Sequence, residues 1–255
     1  MVARSRGPSA AVARERRRVV RALRSRAPPA GNEALRAYLG SPVPVLGVRI
    51  PDLRRVVRET ARRLAPGPRS DASTLVRALW SGDLFEEKEV AIELLGRPPL
   101  NGTNSAWLLG RRWVDRATGW ALSDSLASGS LAPMVAARPA RFAELLEWTR
   151  STNLWRRRAS TYALRDWVRA GELDRPFELL ERLLDGPERW VQRAVGTWLR
   201  ECWKKDAART ERFLRREIHR LAPVTLTVAT ERTSKSFRDE LRRRAARHRA
   251  ERRAY

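Results

Sequence analysis

Residues 119–127, GWALSDSLA, place an aspartate in the middle of an apolar stretch with helical spacing. Trp120 and Asp124 are four residues apart, so their side chains share one face of a helix. In a basic chain such a carboxylate is either the counter-ion of an arginine, such as Arg158, or a group that stabilises positive charge during a reaction. The residue types leave both interpretations open.

These residues belong to an internal repeat of 35 residues. The aromatic position is occupied by Phe85, Trp120, Trp155 and Trp190, and three residues later come Lys88, Ser123, Arg158 and Arg193. The next position holds Glu89 and Asp124 in two copies and alanine in the other two. A period of this length, with room for two helices, is typical of HEAT-like helical repeats.

Apolar residues recur at helical spacing along almost the whole chain, and Gly and Pro interrupt the pattern after each short helix. We therefore predict an all-α fold, a HEAT-like helical-repeat solenoid whose concave face is a basic DNA-binding groove. Arg158 and Arg193 recur at one repeat position and predict a row of positive charge, although a solvated charged stripe explains them as well. The repeated aromatic residues are expected to pack in the core.

The charge balance indicates the class of partner. With 53 Lys and Arg against 29 Asp and Glu, the formal net charge of the 255-residue chain is +24. Such an excess opposes compaction unless a polyanion relieves the repulsion. Nucleic acid is therefore the leading partner, and the chain is long enough to bury a core.

Cysteine and histidine are too few for a metal site. One cysteine and two histidines exclude an internal disulfide and are too few to assemble a Cys/His zinc site, so we expect neither metal nor cofactor. The first 20 residues lack the apolar run of a signal peptide, and no 18 consecutive residues are apolar. We expect a cytoplasmic, nucleoid-associated protein of bacterial type, monomeric and without membrane contact.

Composition suggests three segments. Residues 1–30 form a basic N-terminal helix with a Pro/Gly linker, residues 31–245 carry the repeats, and residues 246–255 form a basic tail. Runs of like charge are usually solvated arms. In a DNA-binding protein, they also add salt-sensitive phosphate contacts.

Five stretches of the chain, spread over roughly residues 33–245, resemble the DNA alkylation repair family of the AlkD type. They are AYLGSPVPVLGVRIPDLRRVVRE, LVRALWSGDLFEEKEVAIELL, GWALSDS, NLWRRRASTYAL and WVQRAVGTWLRE. The family consists of alkylpurine DNA glycosylases built from HEAT-like repeats. The resemblance implies hydrolysis of the N-glycosidic bond of N3- or N7-alkylated purines, bulky adducts included, in duplex DNA.

Matched residue by residue, the resemblance implies three catalytic positions: the family's aspartate falls on Asp124, its sugar-facing tryptophan on Trp120 and its active-site arginine on Arg158. The residues expected to contact DNA are Lys88, Trp155, Arg157, Arg193 and Thr197. At Thr197 this chain departs from the family, which usually has a second tryptophan there. Trp198, the next residue, is expected to point into the core.

Two alternatives stay open beside a glycosylase. One is a DNA-binding HEAT-repeat protein of the same family without catalysis, which Thr197 favours and Asp124 opposes. The other is a HEAT scaffold for an acidic protein or RNA, which leaves Asp124 unexplained and predicts no preference for duplex DNA.

Overall fold

A computed structural model describes residues 10–29 and 32–253, and throughout these ranges the regular elements are helices. The prediction of an all-α fold is confirmed. The α-helices are α1 Ala10–Arg24, α2 Glu33–Leu39, α3 Ile50–Leu64, α4 Arg69–Trp80, α5 Phe85–Leu95, α6 Asn104–Val114, α7 Trp120–Ser125, α8 Ala132–Ala136, α9 Phe142–Trp148, α10 Leu154–Tyr162, α11 Arg165–Ala170, α12 Asp174–Glu181, α13 Arg189–Trp203, α14 Ala207–Arg216, α15 Pro223–Ala229 and α16 Lys235–Arg253. A π-helical turn, Leu126–Leu131, joins α7 to α8, and a 3-10 turn, Pro139–Arg141, precedes α9.

The chain divides into two compact units, Met1–Ala137 and Arg138–Tyr255. The first unit contains α1 to α8 and the second contains α9 to α16. The three-part division expected from composition stays a prediction. Its last boundary, between residues 245 and 246, lies within α16, which is helical on both sides of it.

In the first unit, α1 packs against α3, α4 and α5. The helix is amphipathic, and its Val19 and Leu23 are fully buried. Burial of each such side chain contributes about 1.5–3 kcal/mol to folding. The part of the basic N-terminal segment that forms α1 is therefore a packed helix, where the charge run alone suggested a solvated arm.

The 35-residue repeat is visible in the helix starts. Each repeated aromatic residue occupies the first or second position of its helix, in α5, α7, α10 and α13. Phe85 is buried, Trp120 and Trp155 are half-buried, and Trp190 is 43% exposed. The expectation of core packing is wrong for Trp190 and holds only in part for Trp120 and Trp155, although Phe85, also in the first turn of its helix, is buried.

In the second unit, α13 is central and packs against α10, α12, α14 and α15. Gly196 permits close approach of α15, since an added Cβ would lie 2.7 Å from the carbonyl oxygen of Thr225. Trp198 is buried, as predicted. Cys202 is fully buried, and burial raises the pKa of its thiol to about 12.

Candidate functional site

The start of α7 is set by a contact between two glycines. Gly119, which precedes the helix, has φ +84°, and Gly40, which follows α2, has φ +63°. A Cβ added to Gly119 would lie 2.1 Å from the carbonyl oxygen of Gly40. Both positions therefore require glycine. The contact places the C-terminal end of α2 against Gly119, the residue that precedes Trp120.

Trp120 and Tyr38 form an aromatic pair at this contact. The indole Nε1 of Trp120 donates a 2.6 Å hydrogen bond to the Tyr38 carbonyl oxygen. The two rings meet edge to face, with centroids 5.4 Å apart and an interplanar angle of 80°. Tyr38 is 69% exposed, whereas the indole is half-buried, so the pair presents an aromatic surface to solvent.

Asp124 lies one helical turn after Trp120, with only 9% of its surface exposed. Its backbone carbonyl accepts a 2.6 Å hydrogen bond from the Ser128 hydroxyl, at the point where α7 passes into the π-helical turn. Such turns within α-helices occur frequently at functional sites. Trp120 and Asp124 are thus held on one helix face, in agreement with the sequence spacing.

A second carboxyl group, Glu89 on α5, lies beside this segment. Its Oε2 accepts a 2.7 Å hydrogen bond from the hydroxyl of Ser125, the residue after Asp124. Its Oε1 is inaccessible to solvent and has no hydrogen-bond partner within residues 10–29 and 32–253. Burial raises the pKa of Glu89 to about 7, and the charges of Glu93 and Glu86 act in the same direction.

Lys88 is engaged within the first unit. Its Nζ donates to the carbonyl oxygens of Trp80, at 2.6 Å, and Gly82, at 2.9 Å, and lies 5.5 Å from the centre of the Trp80 ring. A cation at the end of a helix interacts favourably with the terminal carbonyl groups. In this position Lys88 caps α4, and the DNA contact expected for it stays a prediction.

In the second unit, Arg157 and Arg158 of α10 bind the start of α13. Arg157 donates to the Ser151 carbonyl and pairs with Glu188, the residue before α13. Arg158, 4% exposed, donates to the carbonyl oxygen of Trp190 and, at 3.2 Å, to the Tyr162 hydroxyl. Both guanidinium groups therefore have protein partners that fix the N-terminus of α13.

Trp190, Arg193 and Thr197 occupy one face of α13. Trp190 and Arg193 are exposed, and Thr197, half-buried, donates from its hydroxyl to the Arg193 carbonyl at 3.0 Å. The Trp155 ring lies 6.4 Å from the Trp190 ring. Of the repeat positions Lys88, Arg158 and Arg193, only the last presents an exposed cation, which differs from the row of positive charge that the repeat predicts.

The predicted residues fall into two groups. Trp120, Asp124 and Lys88 belong to the first unit, and the remaining five predicted residues belong to the second. Three residues were not predicted as site residues: Tyr38, which lies far from Trp120 in the sequence; Glu89, whose repeat position matches that of Asp124; and Trp190, whose exposure the repeat did not reveal.

Two further findings concern the described part of the chain. Within it, no three His, Cys, Asp or Glu side chains come together in an arrangement that could hold a metal ion. None of the helices there combines the length and the apolar character needed to cross a membrane.

Comparison with known proteins gives one family and several related folds. The family model described as DNA alkylation repair enzyme matches residues 19–233. No curated protein matches the chain. A solved structure described as a predicted DNA alkylation repair enzyme from Enterococcus faecalis is similar with a TM-score of 0.71 and 16% identity, over 82% of this chain and 98% of that one.

Two structures from Streptococcus mutans are also similar. AlkD2 has a TM-score of 0.55 and 16% identity, over 71% of this chain and 98% of its own. The protein smu.31 of strain UA159 has a TM-score of 0.52 and 18% identity, over 76% of this chain and 95% of its own. At these identities the likeness concerns the fold, and it confirms the predicted helical-repeat architecture.

Proposed function

The chain belongs to the DNA alkylation repair enzyme family, and from that premise we propose that it is a monofunctional DNA glycosylase. Its substrates are cationic N3- or N7-alkylated purines in duplex DNA, and the bond hydrolysed joins the damaged base to deoxyribose. The observation that carries the proposal is the placement of Asp124, a nearly buried carboxylate one turn from the half-buried indole of Trp120.

A single carboxylate is sufficient for this reaction. Most glycosidases need a second carboxyl group to protonate the leaving oxygen. An N3- or N7-alkylpurine already carries a positive charge and departs as a neutral base, so no general acid is required. The remaining barrier is the positive charge that develops on the sugar, together with the placement of a water molecule for attack at the anomeric carbon.

Asp124 addresses both requirements. At about 4 Å and an effective dielectric constant near 20, a carboxylate attracts a unit positive charge by roughly 4 kcal/mol. If this attraction is present only in the transition state, it accelerates the reaction by about a thousandfold. The same carboxylate accepts a hydrogen bond from the attacking water, while the Trp120 indole, oriented by its bond to the Tyr38 carbonyl, packs against the deoxyribose.

The arginines have distinct proposed roles. Arg193, exposed on α13, neutralises a DNA phosphate, and Thr197 lies on the same helix face. Arg157 and Arg158 act mainly as positioning residues, because their guanidinium groups already bind the start of α13. The Lys88 ammonium group donates hydrogen bonds to two carbonyl oxygens, which supports a monofunctional enzyme without a Schiff-base lyase step.

The experiment is release of free base from duplex DNA carrying 7-methylguanine or 3-methyladenine, with wild type and Asp124→Asn compared. We expect release by wild type and a loss of orders of magnitude in the variant, while duplex affinity is unchanged or slightly higher because a negative charge is removed. Release at the wild-type rate by Asp124→Asn would exclude Asp124 as the catalytic residue. DNA binding without release from simple or bulky adducts would instead support a non-catalytic family member.

A further inference from the structure

The exposed face of α13 begins with Trp190, a large aromatic residue that is partly exposed to solvent. Trp190, Arg193 and Thr197 follow one another at intervals of three and four positions, so they line one face of the helix. The opposite face supplies the core residues Val191, Ala194, Val195, Trp198 and Leu199. Thr197, the last of the three, is short, and its hydroxyl is bonded to the Arg193 carbonyl rather than directed at a neighbouring helix.

The Trp190 indole is held in place although 43% of the residue is exposed. The Arg158 guanidinium lies 5.8 Å from the centre of the ring and donates to the backbone carbonyl of the same residue. Arg158 is in turn bonded to Tyr162, whose ring packs edge to face on Trp198 at 5.5 Å. The exposed ring is thus anchored through a buried cation to the core of the unit.

A second indole extends the surface. The half-buried ring of Trp155 lies 6.4 Å from that of Trp190, at an interplanar angle of 41°. Arg157, next to Arg158 on α10, is paired with Glu188 and ties α10 to the residue that precedes α13. The two rings are therefore presented by two helices whose mutual position is fixed by ion-pair and hydrogen-bond contacts.

The charges beside this aromatic surface indicate what it binds. Arg189 and Arg193 are exposed, and among the described residues neither side chain has a carboxylate partner. A flat aromatic ring flanked by cations matches a nucleotide, whose base stacks on the ring and whose phosphates bind the cations. A surface for an acidic peptide would need the two arginines but would make no particular use of the rings.

We propose that Trp190 and Trp155 form a stacking platform for an unpaired nucleobase of DNA, with Arg189 and Arg193 binding the adjacent phosphates. The proposal depends on the proposed function only in taking DNA as the partner. It adds a site in the second unit that distinguishes DNA with an unpaired nucleotide from fully paired DNA.

The test compares two duplexes that differ by one bulged nucleotide, with affinities measured by fluorescence anisotropy at fixed salt. Stacking of one base on an aromatic side chain contributes about 1–3 kcal/mol, so wild type is expected to bind the bulged duplex about tenfold more tightly. Trp190→Ala should abolish this preference, and Trp190→Phe should retain most of it. The Arg158 bond to the Trp190 backbone can still form in both variants.

Two further variants separate stacking from charge. Arg193→Ala should weaken binding to both duplexes by a similar factor and leave their ratio unchanged. Leu108→Ala, at an exposed apolar position in the first unit, should alter neither affinity. A wild-type ratio near one, or a ratio that Trp190→Ala leaves intact, would overturn the platform.

Base release, measured on the same proteins, keeps the two proposals apart. If wild type releases no base but still prefers the bulged duplex through Trp190, the glycosylase proposal fails and the platform stands. If release depends on Asp124 while the preference is absent, the platform fails and the glycosylase stands.

Discussion

The indole Nε1 of Trp120 donates to the backbone carbonyl oxygen of Tyr38 across 82 residues of sequence. The contact exists because Gly119 and Gly40 touch through their backbones, at φ values that other residues rarely adopt. The orientation of a proposed catalytic side chain thus depends on two glycines that carry no chemistry themselves.

Gly119→Ala should be strongly destabilising and should reduce base release. The added methyl group would meet the Gly40 carbonyl oxygen at 2.1 Å, and the Gly119 backbone, at φ 84° and ψ 155°, lies in a region that is essentially restricted to glycine and costs another residue about 1–3 kcal/mol. Gly102→Ala is the matched control, since Gly102 has φ +78° and open space around its Cβ position. We expect the free energy of unfolding, measured in urea, to fall by about 1 kcal/mol for the control and by several times that for Gly119→Ala. Equal losses would show that the backbone contact is unimportant.

Glu89→Gln should change the pH dependence of stability. The pKa of Glu89 is raised to about 7 in the folded protein, from an ordinary value near 4.5 in the unfolded chain. The stability associated with this group is therefore fully present below about pH 4.5 and is lost as the pH rises through about 7. Between pH 4.5 and 8, the free energy of unfolding of the glutamine variant should rise relative to that of wild type by on the order of 3 kcal/mol.

Ser125→Ala provides the companion measurement for Glu89. Because the Ser125 hydroxyl favours the charged carboxylate, its removal should move the loss of stability to higher pH. Unfolding free energies of wild type and both variants at several pH values check these predictions. Parallel curves for wild type and Glu89→Gln would contradict them.

Arg158→Ala should lower stability, DNA affinity and base release together. The substitution leaves the Trp190 carbonyl and the Tyr162 hydroxyl without their charged donor, at an expected cost of roughly 3 kcal/mol. Tyr162→Phe removes only one of these bonds and should cost about 1 kcal/mol. If Arg158→Ala unfolds like wild type yet loses base release, Arg158 acts on the substrate directly, as the family resemblance implies.

DNA affinity should fall by about a thousandfold between 50 and 200 mM salt if roughly six phosphates are neutralised. Arg193→Ala should reduce the slope of log affinity against log salt by about one, because one phosphate contact is lost. Arg182→Ala removes the same charge from a residue paired with Glu178 and serves as the control. A flat salt response of wild type would favour a partner other than nucleic acid.

The helical-repeat fold was predictable because its signals are local and recur: apolar residues at helical spacing, and an aromatic residue every 35 positions. The pair Trp120 and Asp124 was predictable for the same reason, since helix geometry alone places both on one face. Tyr38 was not, because its contact with Trp120 depends on the meeting of Gly40 and Gly119, far apart in the sequence.

The repeat did not predict which charged side chains are exposed, because equivalent positions have different neighbours. Lys88 and Arg158 share a repeat position with Arg193, yet the first caps α4, the second binds the start of α13, and the third is exposed. The type of a residue and its position in the repeat predict where it lies on a helix. Whether its charge reaches solvent depends on the carbonyl groups of the neighbouring helix, which the repeat does not encode.

The lone cysteine has a practical consequence for measuring DNA binding by fluorescence. Cys202 is fully buried and its thiol has a pKa of about 12, so almost none of it is the reactive thiolate at neutral pH. A cysteine introduced at an exposed position, such as Leu108, would then be the preferred target of a maleimide dye. Because the native thiol reacts little with such a dye, Cys202 does not have to be replaced before site-specific labelling.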